Sequence, residues 1–268
     1  MTTAADQLTL KSLSEWEAKE GRLPEAVSLY RELLKLQIEA ASRIDAPAME
    51  VSTSVIAAKA EAGEPLLAFD DIAIDWALFD ELFGKVSELV ALPAANHKDL
   101  RMLTREWFDA SGAGDYVLDV AIHAALKPFL AATALALGKS LHLEAWRRRI
   151  CPICGGMPDF AFIDSVRAER WLVCSRCDAH WLFQRLECCH CGNRDQGKLA
   201  FFTDEKEQYR LYVCETCKRY LKAVDLRRSA TKTFLPLERV LTLHLDLQAQ
   251  EMGYQPGAAD KLAPHPAS

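Results

Sequence analysis

The chain has 268 residues and no cysteine in its first 150 positions. A disulfide-dense secreted scaffold, small and stapled throughout, does not fit that distribution. Long apolar runs are missing too. Stretches such as Phe129 to Leu137 fall short of the roughly 18–20 residues that a bilayer requires, so no membrane span is expected. The start, Met1-Thr2-Thr3-Ala4-Ala5-Asp6, offers neither a basic cluster nor an apolar stretch, and no secretory signal is expected. Positive charge is not in excess: 32 Lys and Arg face 38 Asp and Glu, a net of −6. Broad attraction to phosphate backbones is disfavoured by that balance. There is no nucleophile–base set and no glycine-rich phosphate loop, so an enzyme is not expected. Disorder is excluded as well, because half of the residues are hydrophobic and 26% are charged.

What the chain has is nine cysteines, all between Cys151 and Cys217. Eight form four C-x-x-C pairs: Cys151/Cys154, Cys174/Cys177, Cys188/Cys191 and Cys214/Cys217. The pairs are separated by 19, 10 and 22 residues. C-x-x-C places two thiolates on one tight turn, and two such turns supply the four sulfurs of a tetrahedral site. Two metal sites are therefore expected, in preference to redox disulfides or free thiols. The segment also repeats. Arg170-Trp171-Leu172-Val173-Cys174-Ser175-Arg176-Cys177 reads against Arg210-Leu211-Tyr212-Val213-Cys214-Glu215-Thr216-Cys217. Gly155 and Gly192 each follow the second cysteine of the earlier pair, where positive φ turns backbone N–H groups toward sulfur. The repeat predicts that Cys151, Cys154, Cys174 and Cys177 form one site and Cys188, Cys191, Cys214 and Cys217 the other. Interleaved ligation, first pair with third, is the rival. Each site is closed by sulfur and reads as structural. His180 and His190 are spare ligands at most and are read as surface histidines. Cys189 sits inside the third turn and is read as a non-ligand.

The first half follows a helical pattern. Val27, Tyr30, Leu34, Ile38 and Ala41 form a stripe over Glu25 to Ile44, started by Pro24. Trp76, Phe79, Phe83, Val86 and Val90 form a second. Asp99 to Ala110 predicts a short helix that ends before Ser111-Gly112-Ala113-Gly114. Asp115 is placed to cap another through Val117, Val120, Ala121 and Ala124, which Pro128 should kink or divide. A connecting loop is expected in the less regular stretch from Ala46 to Pro65. Tyr220 to Val224 predicts a strand, and Leu237, Val240, Leu241 and Leu245 a last helix. The fold class is α+β: a helical domain over 1–146, four-cysteine metal ribbons, rubredoxin-like or zinc-ribbon in kind, over 147–184 and 185–228, a C-terminal helix over 229–252 and a disordered tail over 253–268. The cysteine-free helical half is expected to fold without metal.

Charge is unevenly distributed. Residues 147–228 carry 16 Lys and Arg and 11 Asp and Glu, a net of +5. Two divalent ions in tetrathiolate cages bring that to about +1. A nucleic-acid-binding ribbon is disfavoured, with Arg147-Arg148-Arg149 left as a possible local contact.

The cysteine half resembles the FdhE family of formate dehydrogenase accessory proteins. The resemblance lies in Cys151-Pro152-Ile153-Cys154-Gly155-Gly156-Met157-Pro158, in Arg170 to Cys177 with Trp181, and in Arg185, Cys188-x-x-Cys191-Gly192-Asn193, Cys214-x-x-Cys217 and Tyr220-Leu221-Lys222. Leu241 to Leu247 with Gly253-Tyr254 is similar to the family's closing helix, and Tyr30 to Gln37 to its helical region. Leu237-Glu238-Arg239 departs from the pattern, standing where the family often has paired acidic residues. The resemblance implies a cytoplasmic helper that binds the catalytic subunit of a respiratory formate dehydrogenase. It also implies rubredoxin-like iron in the ribbons, whereas spacing alone allows iron or zinc. A rubredoxin-like electron-transfer or thiol-redox protein is the alternative, and a nucleic-acid-binding zinc ribbon the second.

Overall fold

The structure, a computed structural model, describes residues 4–45, 51–93, 99–110, 115–138, 145–229 and 233–257. The segment from Ser111 to Gly114 and the residues beyond 257, expected as part of a disordered tail, lie outside the described residues. Six helices come first: α1 (Ala4–Glu20), α2 (Glu25–Arg43), α3 (Thr53–Ala62), α4 (Trp76–Leu89), α5 (Leu100–Ala110) and α6 (Tyr116–Gly138). The two apolar stripes predicted α2 and α4; the α4 stripe packs into the main core with α6, whereas α2 sets Val27 and Tyr30 against Leu13, Leu23 and Val240 and lines a cavity with Leu34, Ile38 and Ala41. Asp75, Asp99 and Asp115 accept backbone N–H groups at the starts of α4, α5 and α6. Of the stretch from Ala46 to Pro65 expected to hold a connecting loop, residues 46–50 lie outside the described residues and Thr53–Ala62 forms α3. Ser52 caps its start and Gly63, at φ 75°, ends it. It buries no residue, which is why no stripe announced it.

Pro128 neither divides nor ends α6, which runs unbroken for 23 residues. Proline supplies no N–H to the carbonyl four residues back, that of Ala124, and an interior proline costs about 3 kcal/mol. Here the amide of Gln37, on α2, donates to the Ala124 carbonyl at 2.9 Å. The orphaned acceptor is thus satisfied from a neighbouring helix. Continuity also makes α6 long and apolar enough to cross a membrane, contrary to expectation from its short apolar run. Most of its apolar window is buried inside the protein, as a core helix would be.

The cysteine half forms one sheet. Strands β1 (Pro158–Ile163), β2 (Arg170–Cys174) and β3 (His180–Phe183) make the first ribbon, and β4 (Leu199–Thr203), β5 (Tyr209–Cys214) and β6 (Arg219–Asp225) the second. The sheet order is β3-β2-β1-β6-β5-β4. Along this order neighbours are antiparallel except at the seam, where β1 runs parallel to β6 with Ala161 opposite Ala223. The last helix is two: α7 (Leu235–Leu241) and α8 (Leu243–Glu251). At the break, the Thr242 hydroxyl donates to the Glu238 carbonyl at 2.7 Å, and buried Lys222 Nζ donates to the Arg239 carbonyl at 3.1 Å. α7 returns to the first half, placing Val240 against Leu13, Leu23 and Val27. α8 covers the second ribbon through Leu245 and Ala249 on Leu211, Val213 and Tyr220. Residues 253–257 are ordered, unlike the expected tail: β7 (Gln255–Pro256) pairs with β6, held by the Gln255 N–H to the Lys218 carbonyl at 2.8 Å.

The largest apolar cluster crosses from helices into ribbon. It includes Phe79, Ile122 and Phe129 together with Ile153, Leu172, Trp181 and Ala223. Residues 1–146 alone are therefore expected to expose part of their core, and the fragment should melt less cooperatively than the whole chain.

The Gln37–Ala124 contact is tested by a double-mutant cycle read by chemical denaturation. Gln37→Ala should cost roughly 1–3 kcal/mol by leaving a buried carbonyl unpaired. In a Pro128→Ala background the restored N–H at position 128 takes that carbonyl, so the same substitution should cost less than half as much. Equal costs in both backgrounds would contradict this account.

Candidate metal centres

Each ribbon brings two cysteine turns together between strand ends. In the first, Cys151 Sγ lies 3.6 Å from Cys177 Sγ, and Cys154 Sγ lies 3.4 Å from Cys174 and 3.5 Å from Cys177. In the second, Cys188 to Cys217 and Cys191 to Cys214 are both 3.7 Å. Within each set all four sulfurs fall within 4.8 Å of one another. A tetrahedral ion with bonds of about 2.3 Å sets sulfur–sulfur edges near 3.8 Å, so both sets fit one ion apiece. The grouping is that of the sequence repeat; the interleaved arrangement is not formed.

The repeat extends to the backbone. The Gly155 N–H donates to the Cys151 carbonyl and the Gly192 N–H to that of Cys188, with φ 72° and 78°. The Cys151 and Cys188 N–H groups reach the carbonyls of Gly156 and Asn193 at 2.8 and 2.9 Å. Amides of Ile153 and His190 point at the Cys151 and Cys188 sulfurs, each at 3.4 Å. The second turns also need positive φ, at Asp178 (59°) and Lys218 (53°). No glycine marks those positions, so the motif alone does not reveal them.

The surroundings of the two cages differ. All four sulfur residues of the first are buried, whereas Cys191 and Cys217 of the second are partly exposed. The first cage is held on both sides by the helical half. The N–H groups of Leu66 and Leu67 donate to the carbonyls of Pro152 and Ile153 at 3.0 and 2.9 Å. On the other turn, His123 Nε2 donates to the Ser175 carbonyl at 3.0 Å, with its ring stacked on Trp107. Burial holds the His123 pKa down to about 4, so the ring is neutral at pH 7. Arg176 is buried over the Trp107 and Phe108 rings and donates to the Phe108 carbonyl at 3.0 Å. It passes so close to Gly156 that a Cβ there would meet its Cδ at 2.9 Å and Cys174 Sγ at 3.0 Å.

Arg239, on α7, closes the same turn. It donates to the Cys174 carbonyl at 2.8 Å and to Asp159 at 2.7 Å, and pairs with Asp178. Lys127 reaches Asp178 at 3.1 Å. Burial alone would raise the Asp178 pKa, but Lys127 and Arg239 bring it to about 2. A cavity of about 800 Å³ adjoins this cluster, lined by Tyr30, Gln37, Lys127, Cys177, His180 and Arg239 among others.

Neither histidine joins a sulfur set. His180 packs edge-on against Phe162, and burial lowers its pKa to about 4. His190 is buried, donating Nε2–H to the Tyr220 carbonyl at 3.0 Å. Cys189 also stays out of both cages: it is buried in the main core, which pushes its thiol up. Of the three consecutive arginines, Arg148 and Arg149 donate to the carbonyls of Glu61 and His190.

Hydrogen bonding and burial set the thiols of each group apart. Hydrogen bonds from Cys151, Cys174 and Cys177 push Cys154 far below the usual thiol range, while burial pushes Cys151 far above it. In the second set, Cys217 brings Cys188 to about 4 and burial raises Cys191 to about 11. A bound ion would displace the remaining protons.

No family model matches the chain. An FdhE homolog from Aquifex aeolicus is 35% identical over 115 residues, 41% of this chain and 40% of that protein. One from Stutzerimonas stutzeri is 31% identical over 170 residues, covering 59% and 54%. The Escherichia coli FdhE protein is 30% identical over 138 residues, covering 50% and 44%. The crystal structure of the FdhE protein from Pseudomonas aeruginosa matches with a TM-score of 0.67 and 24% identity, over 99% of this chain and 96% of that one. The chain is similar to FdhE proteins over part of its sequence and in its fold. The sequence alignments span about half or less of the curated FdhE relatives, whereas the FdhE fold is matched almost end to end.

Exposure should order the two cages. With a chelator at neutral pH, the first equivalent of metal should leave the second cage. On acidification both should empty as thiolates are reprotonated, again with the second leading. Cys188→Ser with Cys191→Ser should lower metal content from two ions to one and leave the helical half intact. Cys151→Ser with Cys154→Ser should remove one ion and also loosen the helices, since a structural ion supplies on the order of 10 kcal/mol in small metal domains. Metal analysis and circular dichroism check both. Simultaneous loss of both ions from either pair would contradict independent cages.

Proposed function

We propose that this chain is a non-catalytic maturation factor for a respiratory formate dehydrogenase. It acts in the cytoplasm and binds the catalytic subunit. Cys151, Cys154, Cys174 and Cys177 hold one metal ion and Cys188, Cys191, Cys214 and Cys217 a second, each iron or zinc. The observation that carries this reading is the pair of four-sulfur cages in a fold matching an FdhE structure along its length. Four thiolates fill a tetrahedral shell, so substrate has no coordination position. The ions support binding by holding the ribbon surfaces in shape.

A second reading rests on the partial exposure of Cys191 and Cys217. Rubredoxin-like iron in that cage would exchange electrons through its exposed sulfurs. Metal exchange separates the two. A deletion strain is complemented with the protein loaded with iron or with zinc, and both formate dehydrogenase activity and subunit pull-down are measured. The shape reading expects both loaded forms to bind and to restore activity, because either ion accepts the same cage. A zinc form that binds the subunit yet yields no active enzyme would favour electron transfer. Failure of the iron form to bind the subunit would remove the maturation reading itself.

A further inference from the structure

Between α2, α6 and the first ribbon lies the cavity of about 800 Å³ that adjoins Arg239. It has room for on the order of 25 water molecules at about 30 Å³ each, and falls within the roughly 300–1,000 Å³ of small-molecule sites. Its walls are mainly apolar. Leu34 and Ile38 come from α2, Ala131 and Ala134 from α6, and Val173 from β2. Leu135, 45% exposed, stands at the mouth. The short side chains of Ala131 and Ala134 leave space that larger ones would fill. Water against such walls is unfavourable, so an apolar occupant gains by displacing it.

Most polar groups in these walls already have partners. The Tyr30 hydroxyl donates to the Pro236 carbonyl at 3.3 Å, and the Gln37 amide to the Ala124 carbonyl. Lys127 and Arg239 both face Asp178, and Arg239 also meets Asp159, so two cations are matched by two carboxylates. Trp171 and His180 differ. They line the cavity from β2 and β3, half-buried, and neither the indole N–H nor the imidazole ring has a hydrogen-bond partner among the described residues. His180 is neutral at pH 7, so its ring offers one donor and one acceptor.

We propose that this cavity is a binding site for an uncharged, lipid-like small molecule, an aliphatic body carrying one hydroxyl or carbonyl head. The head accepts the Trp171 Nε1–H and exchanges a hydrogen bond with His180. The body lies along Leu34, Ile38, Ala131 and Ala134. Charge of either sign on the head is disfavoured. An anionic head would meet Asp178 with both nearby cations already paired, and a cationic head would meet Lys127 and Arg239. Burying a charge without a partner is costly. A peptide fits less well, because each residue brings an N–H and a C=O that must be paired and these walls offer few partners. The site lies between the helical half and the first ribbon, and Cys177 of the first cage lines the same space.

The test uses the full-length, metal-loaded chain and the uncharged fluorophore N-phenyl-1-naphthylamine. A single equivalent should bind with enhanced fluorescence, and 1-decanol should displace it. Decanoate and decyltrimethylammonium, with the same chain and a charged head, should displace it about tenfold less well. Ala131→Phe and Ala134→Phe fill the cavity from α6, and each should weaken fluorophore binding about tenfold while both metals stay bound. Ala131 is half-buried and its replacement the milder change, so it decides the matter if Ala134→Phe fails to fold. Trp171→Phe keeps a ring and loses the N–H, and should weaken 1-decanol binding about fivefold. Absence of fluorophore binding, or binding that ignores Ala131→Phe, overturns the proposal. So does equal displacement by the charged heads, or an unchanged 1-decanol affinity in Trp171→Phe. Displacement by formate dehydrogenase subunit but not by 1-decanol would assign the cavity to a protein partner and overturn it equally.

Discussion

The fold depends on burying a charged sulfur cage against an apolar helical core. Four thiolates around a divalent ion carry a net charge of −2, and a buried charge is tolerated only when it is compensated. The first cage meets that condition locally. Backbone N–H groups of Ile153 and Arg176 face its sulfurs, and the Arg176 guanidinium lies buried between the cage and α5. The same arginine, His123 and the Leu66–Leu67 backbone fasten the helices to the turns. The sulfur cage, the ribbon and the helical half therefore form one packing unit. The second cage, nearer the surface, makes no comparable demand on its neighbours.

Arg239 shows how much one basic side chain organises. The sequence places it on a helix and says nothing of its partners. In the fold it lies, mostly covered, between Asp159, Asp178 and the Cys174 carbonyl, and its helix carries Val240 back to α1 and α2. Beside it, Glu238 is buried and accepts the Tyr209 hydroxyl at 2.6 Å. This short helix links the last part of the chain to the first, with the first ribbon between them.

Much of this was legible in the sequence because it is local or repeated. Four C-x-x-C pairs, Gly155 and Gly192 located both cages, and the α2 and α4 stripes located two helices and their buried faces. What escaped depends on residues distant along the chain. Pro128 reads as a helix breaker until Gln37, 87 residues from the carbonyl it reaches, supplies the missing donor. The break at Thr242 depends on Lys222 reaching over from β6. Gly257 looks like part of a loose tail, yet it packs so closely on His190 that any Cβ would collide with the ring. The positive φ of Asp178 and Lys218 could be inferred only by carrying the logic of the glycine turns to the second turn of each ribbon.

The parallel seam between β1 and β6 has a consequence for how the chain is made. Every other pairing within the two ribbons joins strands adjacent in sequence, but on its second side β1 must wait for β6. The first ribbon can close its sulfur cage as soon as Cys177 has left the ribosome. Its inner edge then stays open while tens of further residues are added, a delay of some seconds at synthesis rates of about 5–20 residues per second. During that interval β1 is paired with β2 alone and presents one open edge on a nascent protein, and the helices still lack α7. The order of translation thus makes the first metal cage the earliest fixed point of the cysteine half, and the seam the latest.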